Sequence, residues 1–262
     1  MILITLTTDF GLADSYVAVM KGVILGIAPQ TRIVDITHQI APQNVRQAAT
    51  VLQAAVPYFP RGTIHVAVVD PGVGSARRAL AVRTSHAFFV GPDNGLFSAA
   101  LANTHTGGVL VLHLDQPAYW LPTVSRTFHG RDIFSPVAAH LAAGVPFEAL
   151  GSPIADPVIL AHPLPSRQAD GTVSGQIDHA DRFGNLISDI PEAWLAGRRW
   201  VLSCAGQEIH GVSPSYASAE PGELLALISS SGTLEIAVRE GSAAARLAAG
   251  FGEPILARPN RN

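Results

Sequence analysis

The chain has 262 residues, of which 48% are hydrophobic and only 14% are charged, so its composition excludes a disordered protein. This length suits one large domain or two domains of ordinary size. A formal net charge of −3, with no run of Lys or Arg, argues against nucleic acid as a partner. Cys204 is the one cysteine, which excludes a disulfide framework and a thiolate metal cluster.

The apolar segments of the sequence are too short or too interrupted to span a bilayer, so no membrane partner is expected. The apolar N-terminal residues lack a basic region and a cleavage signal, and they are typical of a buried strand. We therefore expect a cytoplasmic protein that acts on small molecules. The low charge content also favours the burial of further surface in an oligomer.

Roughly the first 160 residues alternate between strand and helix patterns. Apolar residues at helical spacing predict one helix over 17–27, a second over 45–56 and a short one at 138–141. Strands are predicted at Ile2–Thr8, Arg32–Thr37, Ile64–Val69, Leu80–Val82 and Ala87–Val90. This alternation favours an N-terminal α/β domain, residues 1–162, with a mostly parallel central sheet covered by helices.

The pattern changes at 163–171, where Pro, Gly and polar residues predict a linker. Beyond it, short apolar runs separated by turn residues show little helical periodicity. Strands are predicted at Thr172–Ile177, Trp200–Ser203, Leu224–Ile228 and Leu234–Val238. We therefore expect a smaller C-terminal domain, residues 172–262, built as an antiparallel β-barrel or sandwich.

Four predicted strand ends lead into acidic loops that contain Gly or Pro. The loops are Thr8-Asp9-Phe10-Gly11, Asp70-Pro71-Gly72-Val73-Gly74, Gly91-Pro92-Asp93-Asn94-Gly95 and, after Thr123–Arg126, Thr127-Phe128-His129-Gly130-Arg131-Asp132. Ligands of open parallel sheets bind outside the carboxyl ends of the strands. Asp beside Gly or Pro is also ordinary turn chemistry, so each loop alone fits either interpretation. Four such loops in one domain favour a functional site.

Other chemical signatures are absent from the sequence or open to two interpretations. Without His pairs at ligand spacing no catalytic metal is predicted, and without a Gly-x-Gly-x-x-Gly or Walker-type loop no phosphate cradle is predicted. The cluster Asp178-His179-Ala180-Asp181-Arg182-Phe183-Gly184-Asn185 fits either a hairpin or a binding site. The segment 229–232, Ser-Ser-Ser-Gly, fits either a flexible turn or a carboxylate site made of backbone groups.

Together, the four N-terminal loops and Asp181-Arg182-Phe183-Gly184-Asn185 resemble the motifs of the S-adenosylmethionine (SAM) hydroxide adenosyltransferases. These enzymes are related to the SAM-dependent fluorinase and chlorinase. The resemblance runs in order along nearly the whole chain. It implies an α/β domain followed by a β-barrel domain, and hydrolysis of SAM to adenosine and L-methionine without a cofactor. It also implies a homotrimer whose sites lie between subunits.

The resemblance also implies roles for individual residues. Asp70, Arg77 and His129 match a triad that handles the attacking water. The implied substrate-binding residues are Asp9 at the ribose hydroxyls; Asp181, Ser230 and Ser231 at the methionine end; Asn185 and the backbone near Glu240 at the adenine; and, within the same motifs, Phe10, Asp93, Asn94, Phe128 and Phe183.

Departures from the halogenases argue against halide transfer. The halogenases have a tyrosine in place of Asp70, a threonine in place of Val73, Tyr-Ser in place of His129-Gly130, and an aromatic residue in place of Gln43. A SAM-dependent halide adenosyltransferase and a non-catalytic SAM- or adenosine-binding protein remain the alternative functions. Three choices also stay open: Asp70 or His129 as the base, Arg77 or Arg78 as the active arginine, and Asp178 or Asp181 at the methionine end.

Overall fold

The computed structural model describes residues 2–102, 108–161 and 164–260. By their contacts, the residues divide into two compact units, Met1–Leu160 and Ala161–Asn262. The boundary expected between residues 162 and 163 lies outside the described residues. Within the predicted linker, Ser166–Arg167 forms a short strand that pairs with Val173 and Ser174.

The first unit is an α/β domain. Its helices are α1 (Tyr16–Ile27), α2 (Val45–Ala55), α3 (Ser98–Leu101) and α4 (Ser135–Ala142), with short 3-10 turns at Val56–Tyr58, Pro117–Tyr119 and Phe147–Leu150. A π-helical turn, Gly130–Phe134, leads directly into α4. Its strands are β1 (Leu3–Thr8), β2 (Arg32–Thr37), β3 (Ile64–Val68), β4 (Ala79–Arg83), β5 (Phe88–Pro92), β6 (Leu110–His113) and β7 (Ser152–Pro153).

These seven strands form one sheet in the order β2-β1-β3-β5-β4-β6-β7. Strands β2, β1, β3 and β5 pair in parallel, whereas β4 is antiparallel to both of its neighbours and β7 is antiparallel to β6. The α/β class with a mostly parallel sheet is confirmed. Because β1, β3 and β5 are adjacent and parallel, the loops after them emerge at one edge of the sheet.

Helices cover both faces of this sheet. On one face, Met20 of α1 and Val137 of α4 pack with Ile4 and Val66 of the central strands. On the other face, Leu52 of α2 and Leu101 of α3 belong to a second buried cluster, together with further sheet residues. Two apolar layers therefore clamp the central strands and hold their carboxyl-terminal loops in place.

The second unit is an antiparallel, nearly closed barrel. Its strands are β8 (Ser166–Arg167), β9 (Val173–Ala180), β10 (Leu186–Pro191), β11 (Trp200–Cys204), β12 (Gln207–His210), β13 (Leu224–Ile228), β14 (Thr233–Val238) and β15 (Pro254–Pro259). It also contains α5 (Ala243–Leu247) and short 3-10 turns at Glu192–Trp194 and Tyr216–Ser218. The main strand order is β12-β11-β15-β9-β10-β14-β13. A bridge between Ser213, after β12, and Leu227 of β13 brings the two ends of the sheet together.

Candidate active site

The loop that follows β3 carries an acidic and a basic side chain that pair with each other. Arg77 Nε donates a 2.8 Å hydrogen bond to Asp70 Oδ1, and Arg77 Nη2 donates to Asp70 Oδ2. Only 9% of the Arg77 side chain and 5% of the Asp70 side chain are exposed. Two parallel hydrogen bonds fix a carboxylate in orientation as well as in position, so the pair forms a rigid charged unit.

The third residue of the predicted triad comes from a distant part of the chain. His129 directly precedes the π-helical turn, and its Nδ1 lies 2.9 Å from Arg77 Nη2. The structure thus brings Asp70, Arg77 and His129 into one hydrogen-bonded chain. Arg78 turns away from it and donates instead to the carboxylates of Asp93 and Asp156.

The bond from Arg77 determines where neutral His129 carries its proton. A guanidinium offers only donors, so Nδ1 must accept and the ring proton lies on Nε2. Burial lowers the pKa of His129, and the positive charge of Arg77 lowers it further, against the opposing effect of Asp70. The imidazole is therefore held neutral, although a hydrogen bond to the Ser125 backbone raises its pKa slightly in the opposite sense.

A close backbone contact holds the loop after β3 against the segment that leads to His129. Gly74 has a φ of +77°, and a Cβ atom added there would lie 2.3 Å from the carbonyl oxygen of Arg126. A residue with a side chain would meet both a left-handed backbone and a steric clash at this position. Gly74 therefore permits the approach that places Arg77 beside His129.

The segment before His129 differs from the prediction. Residues 123–126 were expected to end a strand, but no strand is present there. Instead, Asp132 Oδ2 accepts a 2.7 Å hydrogen bond from the Ser125 amide, and the Asp132 carbonyl accepts one from Leu121. The backbone amides of this segment thus find hydrogen-bond partners at the start of the following helix rather than in a sheet. Asp132 is fully buried and organises the loop.

Three aromatic rings pack together at this edge of the α/β unit. The ring centroids of Phe10 and Phe128 are 5.8 Å apart, and Tyr16 lies 5.7 Å from Phe10 and 5.1 Å from Phe128. Gly130 sits against them, since a Cβ atom added there would lie 3.3 Å from both Met20 and Phe128. The site therefore has an apolar wall beside its charged triad, and this wall leaves little room for a side chain at Gly130.

The carboxylate of Asp9 projects from the loop after β1. Its Oδ2 accepts a 2.8 Å hydrogen bond from the backbone amide of Gln43. The loop itself is held by His38, whose Nδ1 is hydrogen-bonded to Thr8 Oγ1 at 2.9 Å and whose carbonyl accepts the Gly11 amide at 2.7 Å. Asp9 therefore stands on a well-supported loop at the same sheet edge as Asp70.

The loop after β5 uses its polar side chains internally. Asp93 Oδ2 accepts from Arg78 and its Oδ1 accepts from the Val158 amide, both at 2.7 Å. Asn94 donates to the Val69 carbonyl at 2.9 Å. The turn interpretation of Asp93 and Asn94 thus agrees with the geometry. Through Val69, Asn94 also braces the strand end next to Asp70.

In the second unit, the cluster 178–185 forms a hairpin between β9 and β10. Asp178 lies within β9, whereas Asp181 lies in the turn. Asp181 Oδ1 accepts from the backbone amides of Phe183 and Asn185, and its Oδ2 accepts from the Asn185 side chain at 3.0 Å. Asp181 shapes this turn, which leaves the Phe183 ring 76% exposed.

The remaining candidates lie around β14. Ser230 and Ser231 lie in the exposed turn before β14, where Ser231 Oγ is hydrogen-bonded to Ser229 Oγ at 2.8 Å. Glu240 follows the strand and has a left-handed backbone with a φ of +56°. Its carboxylate lies 3.6 Å from Arg239 Nε. Ser230, Ser231 and Glu240 are all exposed.

The described residues offer neither a metal site nor a membrane-spanning helix. Within residues 2–102, 108–161 and 164–260, no group of three or more His, Cys, Asp or Glu side chains could hold a metal ion. None of the helices in these ranges is long and apolar enough to cross a membrane. A cavity of about 470 Å³ lies on the α2 and α3 side of the sheet, lined by residues such as Leu52 and Phe97, and contains none of the candidate site residues.

Comparison with known proteins gives the family of the chain. The model of the SAM hydroxide adenosyltransferase N-terminal domain matches residues 4–151, and the model of the C-terminal domain matches residues 175–256. The chain belongs to the SAM hydroxide adenosyltransferase family. The N-terminal model spans the triad, and the C-terminal model spans the hairpin turn and the serines before β14.

Relatives of this chain include named enzymes. It is 41% identical to the (R)-S-adenosyl-L-methionine hydrolase of Salinispora arenicola, over 96% of each chain, and 40% identical to that of Thermus thermophilus, over 95% and 96%. It is 28% identical to a fluorinase of Nocardia brasiliensis, over 92% of each chain. A crystal structure of an uncharacterized conserved protein from Thermotoga maritima is 34% identical, covers 98% of this chain and 100% of its own, and has a TM-score of 0.88.

Sequence patterns did not reveal every residue that supports the site of this hydroxide adenosyltransferase. Gln43 was noted only as a departure from the halogenases, and His38 was not singled out. Their contacts with the loop after β1 come from the segment between β2 and α2, which contains none of the motifs singled out in the sequence. No local pattern links residues 38 and 43 to Asp9. Gln also has no special preference for the left-handed backbone that Gln43 adopts.

Proposed function

We propose that this chain hydrolyses S-adenosyl-L-methionine to adenosine and L-methionine. The observation that carries the proposal is the almost buried, hydrogen-bonded chain of Asp70, Arg77 and His129 at the carboxyl edge of the sheet. The names of the relatives at about 40% identity support SAM as the substrate. The reaction is an in-line displacement: the water oxygen bonds to ribose C5′ while the carbon–sulfur bond breaks and its electron pair stays on sulfur.

The chemistry of the leaving group explains why a triad of this kind suffices. Methionine leaves a sulfonium as a neutral thioether, so no acid is needed to protonate it. The scarce species near neutral pH is hydroxide. The fixed positive charge of Arg77 stabilises the negative charge that develops on the attacking oxygen. A positioned general base adds roughly 10²–10⁴ in rate.

The hydrogen bonds favour Asp70 as that base. His129 Nδ1 is occupied by Arg77, and its Nε2 carries a proton, so the neutral ring has no free lone pair to accept another proton. Each carboxylate oxygen of Asp70 keeps a second lone pair beyond its bond to Arg77. The water therefore gives its proton to Asp70, while His129 orients the water oxygen through Nε2–H.

Most of the remaining predicted residues bind the substrate under this proposal, and we assign them by unit. In the α/β unit, Asp9 holds the ribose hydroxyls, and Phe10 and Phe128 form the apolar wall; Asp93 and Asn94 support the loops rather than contact the substrate. In the barrel unit, Phe183 offers a ring face for the purine, which suits aromatic stacking. There, Ser230, Ser231 and the Asp181 turn hold the methionine end, and Asn185 and the Glu240 backbone read the adenine.

The reaction requires no cofactor and no metal under this proposal. Every charge change is handled by the triad: Arg77 supplies the fixed cation and Asp70 takes the proton. Dialysis against a chelator should leave hydrolysis unchanged. Loss of activity that one added divalent ion restores would contradict this part of the proposal.

We also propose that the protein is a cytoplasmic homotrimer with sites between its subunits. The support comes from the family resemblance and from the low fraction of charged residues, 14%. Light scattering at assay concentration should give three times the chain mass. An active monomer would refute the trimer.

Product analysis tests the proposed function. The purified protein is incubated with each sulfonium epimer of SAM separately, because the relatives are named for the (R) form. Chromatography should show adenosine and methionine in equal amounts, with chloride present or absent. A 5′-haloadenosine would indicate halide transfer, and unchanged bound SAM would indicate a binding protein. Asp70→Asn protein, purified identically, controls for contaminating hydrolases.

A further inference from the structure

The backbone at Gln43 is strained beside the ribose-binding candidate Asp9. Among the residues that the structure describes, four non-glycine residues have a positive φ: Gln43, Ala205, Glu240 and Ala248. Ala205 lies in the turn between β11 and β12, and Ala248 caps the end of α5, so ordinary turn and cap geometry explains both. Gln43, with a φ of +65°, is the third residue of the turn Ala41-Pro42-Gln43-Asn44, a position where Gly or Asn is usual and a Gln therefore costs energy.

The surrounding contacts hold Gln43 in this conformation. The Asn44 amide donates to the Ala41 carbonyl, and the Val45 amide donates to the Gln43 carbonyl, both at 3.0 Å. Asn44 Oδ1 then caps α2 by accepting from the Gln47 amide, while Gln47 Oε1 accepts from Ala41. A helix start that is fixed on both sides can maintain a strained residue, and strain maintained in this way is typical of functional positions.

The strain has a defined geometric consequence. With its backbone in the left-handed region, the Gln43 amide donates a 2.8 Å hydrogen bond to Asp9 Oδ2. The two residues are 34 positions apart in sequence, so no local turn accounts for the contact. A bond to one carboxylate oxygen restricts the rotation of the whole group and leaves the other oxygen to accept hydrogen bonds from a ligand.

We propose that Gln43 is a positioning residue that orients the Asp9 carboxylate for the 2′ and 3′ hydroxyls of the adenosine ribose. The inference rests on the ribose-binding role proposed for Asp9. The part of Gln43 that acts is its backbone N–H, presented by a left-handed conformation. The side chain is exposed and is not required for this contact.

Two substitutions separate the backbone from the side chain. Gln43→Val keeps the N–H but disfavours the left-handed region, because a β-branched residue is poorly tolerated there. Gln43→Gly also loses the side chain but adopts a positive φ without strain. Ala205→Val is the matched control, since it introduces the same conflict at a positive φ in the other unit. Gln43→Thr serves as a second β-branched variant if Gln43→Val does not fold.

The measurement is calorimetric binding of adenosine and of 2′,3′-dideoxyadenosine, which lacks both hydroxyls. The unaltered protein should prefer adenosine by about tenfold or more, as expected for hydrogen bonds to a charged group. Gln43→Val should bring this preference close to one. Gln43→Gly should restore most of it, and Ala205→Val should leave it unchanged even where its melting temperature falls.

Several outcomes would overturn the inference. If Gln43→Val still prefers adenosine to 2′,3′-dideoxyadenosine as strongly as the unaltered protein does, the left-handed backbone of Gln43 has no role in ribose binding. Loss of the preference in Gln43→Gly would assign the contact to the side chain, and equal affinity of the unaltered protein for both nucleosides would remove the ribose role itself. These binding measurements do not require turnover. A failure to hydrolyse SAM would therefore contradict the proposed function without affecting the test of Gln43.

Discussion

Arg77 is shared between Asp70 and His129, and this sharing gives the two residues different chemical roles. Its Nη2 atom donates to both Asp70 Oδ2 and His129 Nδ1. The carboxylate keeps free lone pairs, whereas the imidazole is left with only a donor. The sequence alone leaves Asp70 and His129 equivalent as candidate bases. The hydrogen bonds distinguish them, because only Asp70 can still accept a proton.

Substitution of Asp70 tests this assignment. Asp70→Asn keeps the size of the side chain but removes its ability to take a proton, so single-turnover hydrolysis should slow by about 10²-fold or more. SAM affinity by calorimetry should stay within about threefold, because Asp70 is not a ligand contact. Asp156→Asn, which removes another aspartate paired with an arginine at this edge, is the control and should keep the wild-type rate.

His129 makes the reaction depend on pH on the acid side. Burial and then the charge of Arg77 place its pKa below the ordinary value of 6.5. Protonation removes the Nδ1 acceptor and sets a second positive charge beside Arg77, so the rate should fall only as pH drops through this lowered pKa. The part of the acid limb that belongs to His129 should therefore lie below pH 6.5 and should be missing from the pH profile of His129→Asn. A limb above that pH would contradict the assignment.

The sequence predicted Asp70, Arg77 and His129 as a triad, but it could not show which nitrogen of His129 carries the proton or which residue acts as the base. Asp70 and His129 stand in motifs that end at recognisable loops, so their grouping could be anticipated. The choice between Arg77 and Arg78 required the structure, since adjacent residues differ only in which way the backbone turns them. The role of Gln43 could not be predicted, because Pro42 and Asn44 indicate a turn but nothing in the sequence links that turn to Asp9, 34 positions away.

At the scale of elements, the site depends on two loops that touch through backbone. The loop after β3 approaches the segment before His129 at Gly74, where the carbonyl of Arg126 leaves no space for a Cβ atom. Neither loop is held by sheet pairing at this point. The contact therefore couples the position of Arg77 to that of His129.

Gly74→Ala should disrupt this coupling. The alanine meets a left-handed backbone, which costs about 1–3 kcal/mol, and also clashes with Arg126. Gly62→Ala is the matched control, because Gly62 has a φ of +83° with open space around it. Denaturant unfolding should show a larger loss of stability for Gly74→Ala, and only this variant should slow hydrolysis. Equal effects of the two variants on both measurements would rule out a specific role for the contact.

Helices and strands were predicted correctly where apolar residues recur with a clear period. Prediction failed where contacts between distant residues determine the backbone conformation. Helices α1 and α2 and strands β1 to β5 were each found within about two residues of their bounds. Residues 123–126 were mistaken for a strand end, because their hydrogen bonds go to Asp132 of the π-helical turn. The strands β6, β10 and β15 were missed; in β10 the buried positions alternate but include Ser188, so its apolar residues do not follow that alternation.

At the scale of the whole molecule, the fold class followed from the change of pattern near residue 162. Alternating strand and helix signals gave the α/β unit, and short strands separated by turns gave the barrel unit. The antiparallel insertion of β4 between β5 and β6 could not be foreseen. Strand direction within a sheet is set by connections and packing rather than by composition.

The stability of the fold should fall in acid because of His65. This histidine is buried beneath Phe59 and Phe89, and its burial, aided by the charge of His86, lowers its pKa to about 4. The unfolded chain takes up a proton near pH 6.5, whereas the folded chain does so only near pH 4. Stability is therefore complete above pH 6.5 and is lost between these values, by about 3 kcal/mol.

Denaturant unfolding across this pH range measures that loss. His65→Gln keeps a polar group near Thr5, which bonds His65 Nδ1 at 2.7 Å, but removes the titrating imidazole. The slope of stability against pH should be shallower in this variant, and the difference from the unaltered protein is the share due to His65. Identical slopes would show that His65 does not titrate between pH 6.5 and about 4.

The central claim is that water, activated by Asp70 and Arg77, attacks ribose C5′ of SAM. It is tested most directly by hydrolysis in water enriched in heavy oxygen, followed by mass spectrometry of both products. The account predicts adenosine that carries the heavy isotope on O5′ and methionine that carries none. Unlabelled adenosine, or label found in methionine, would contradict attack of water at C5′.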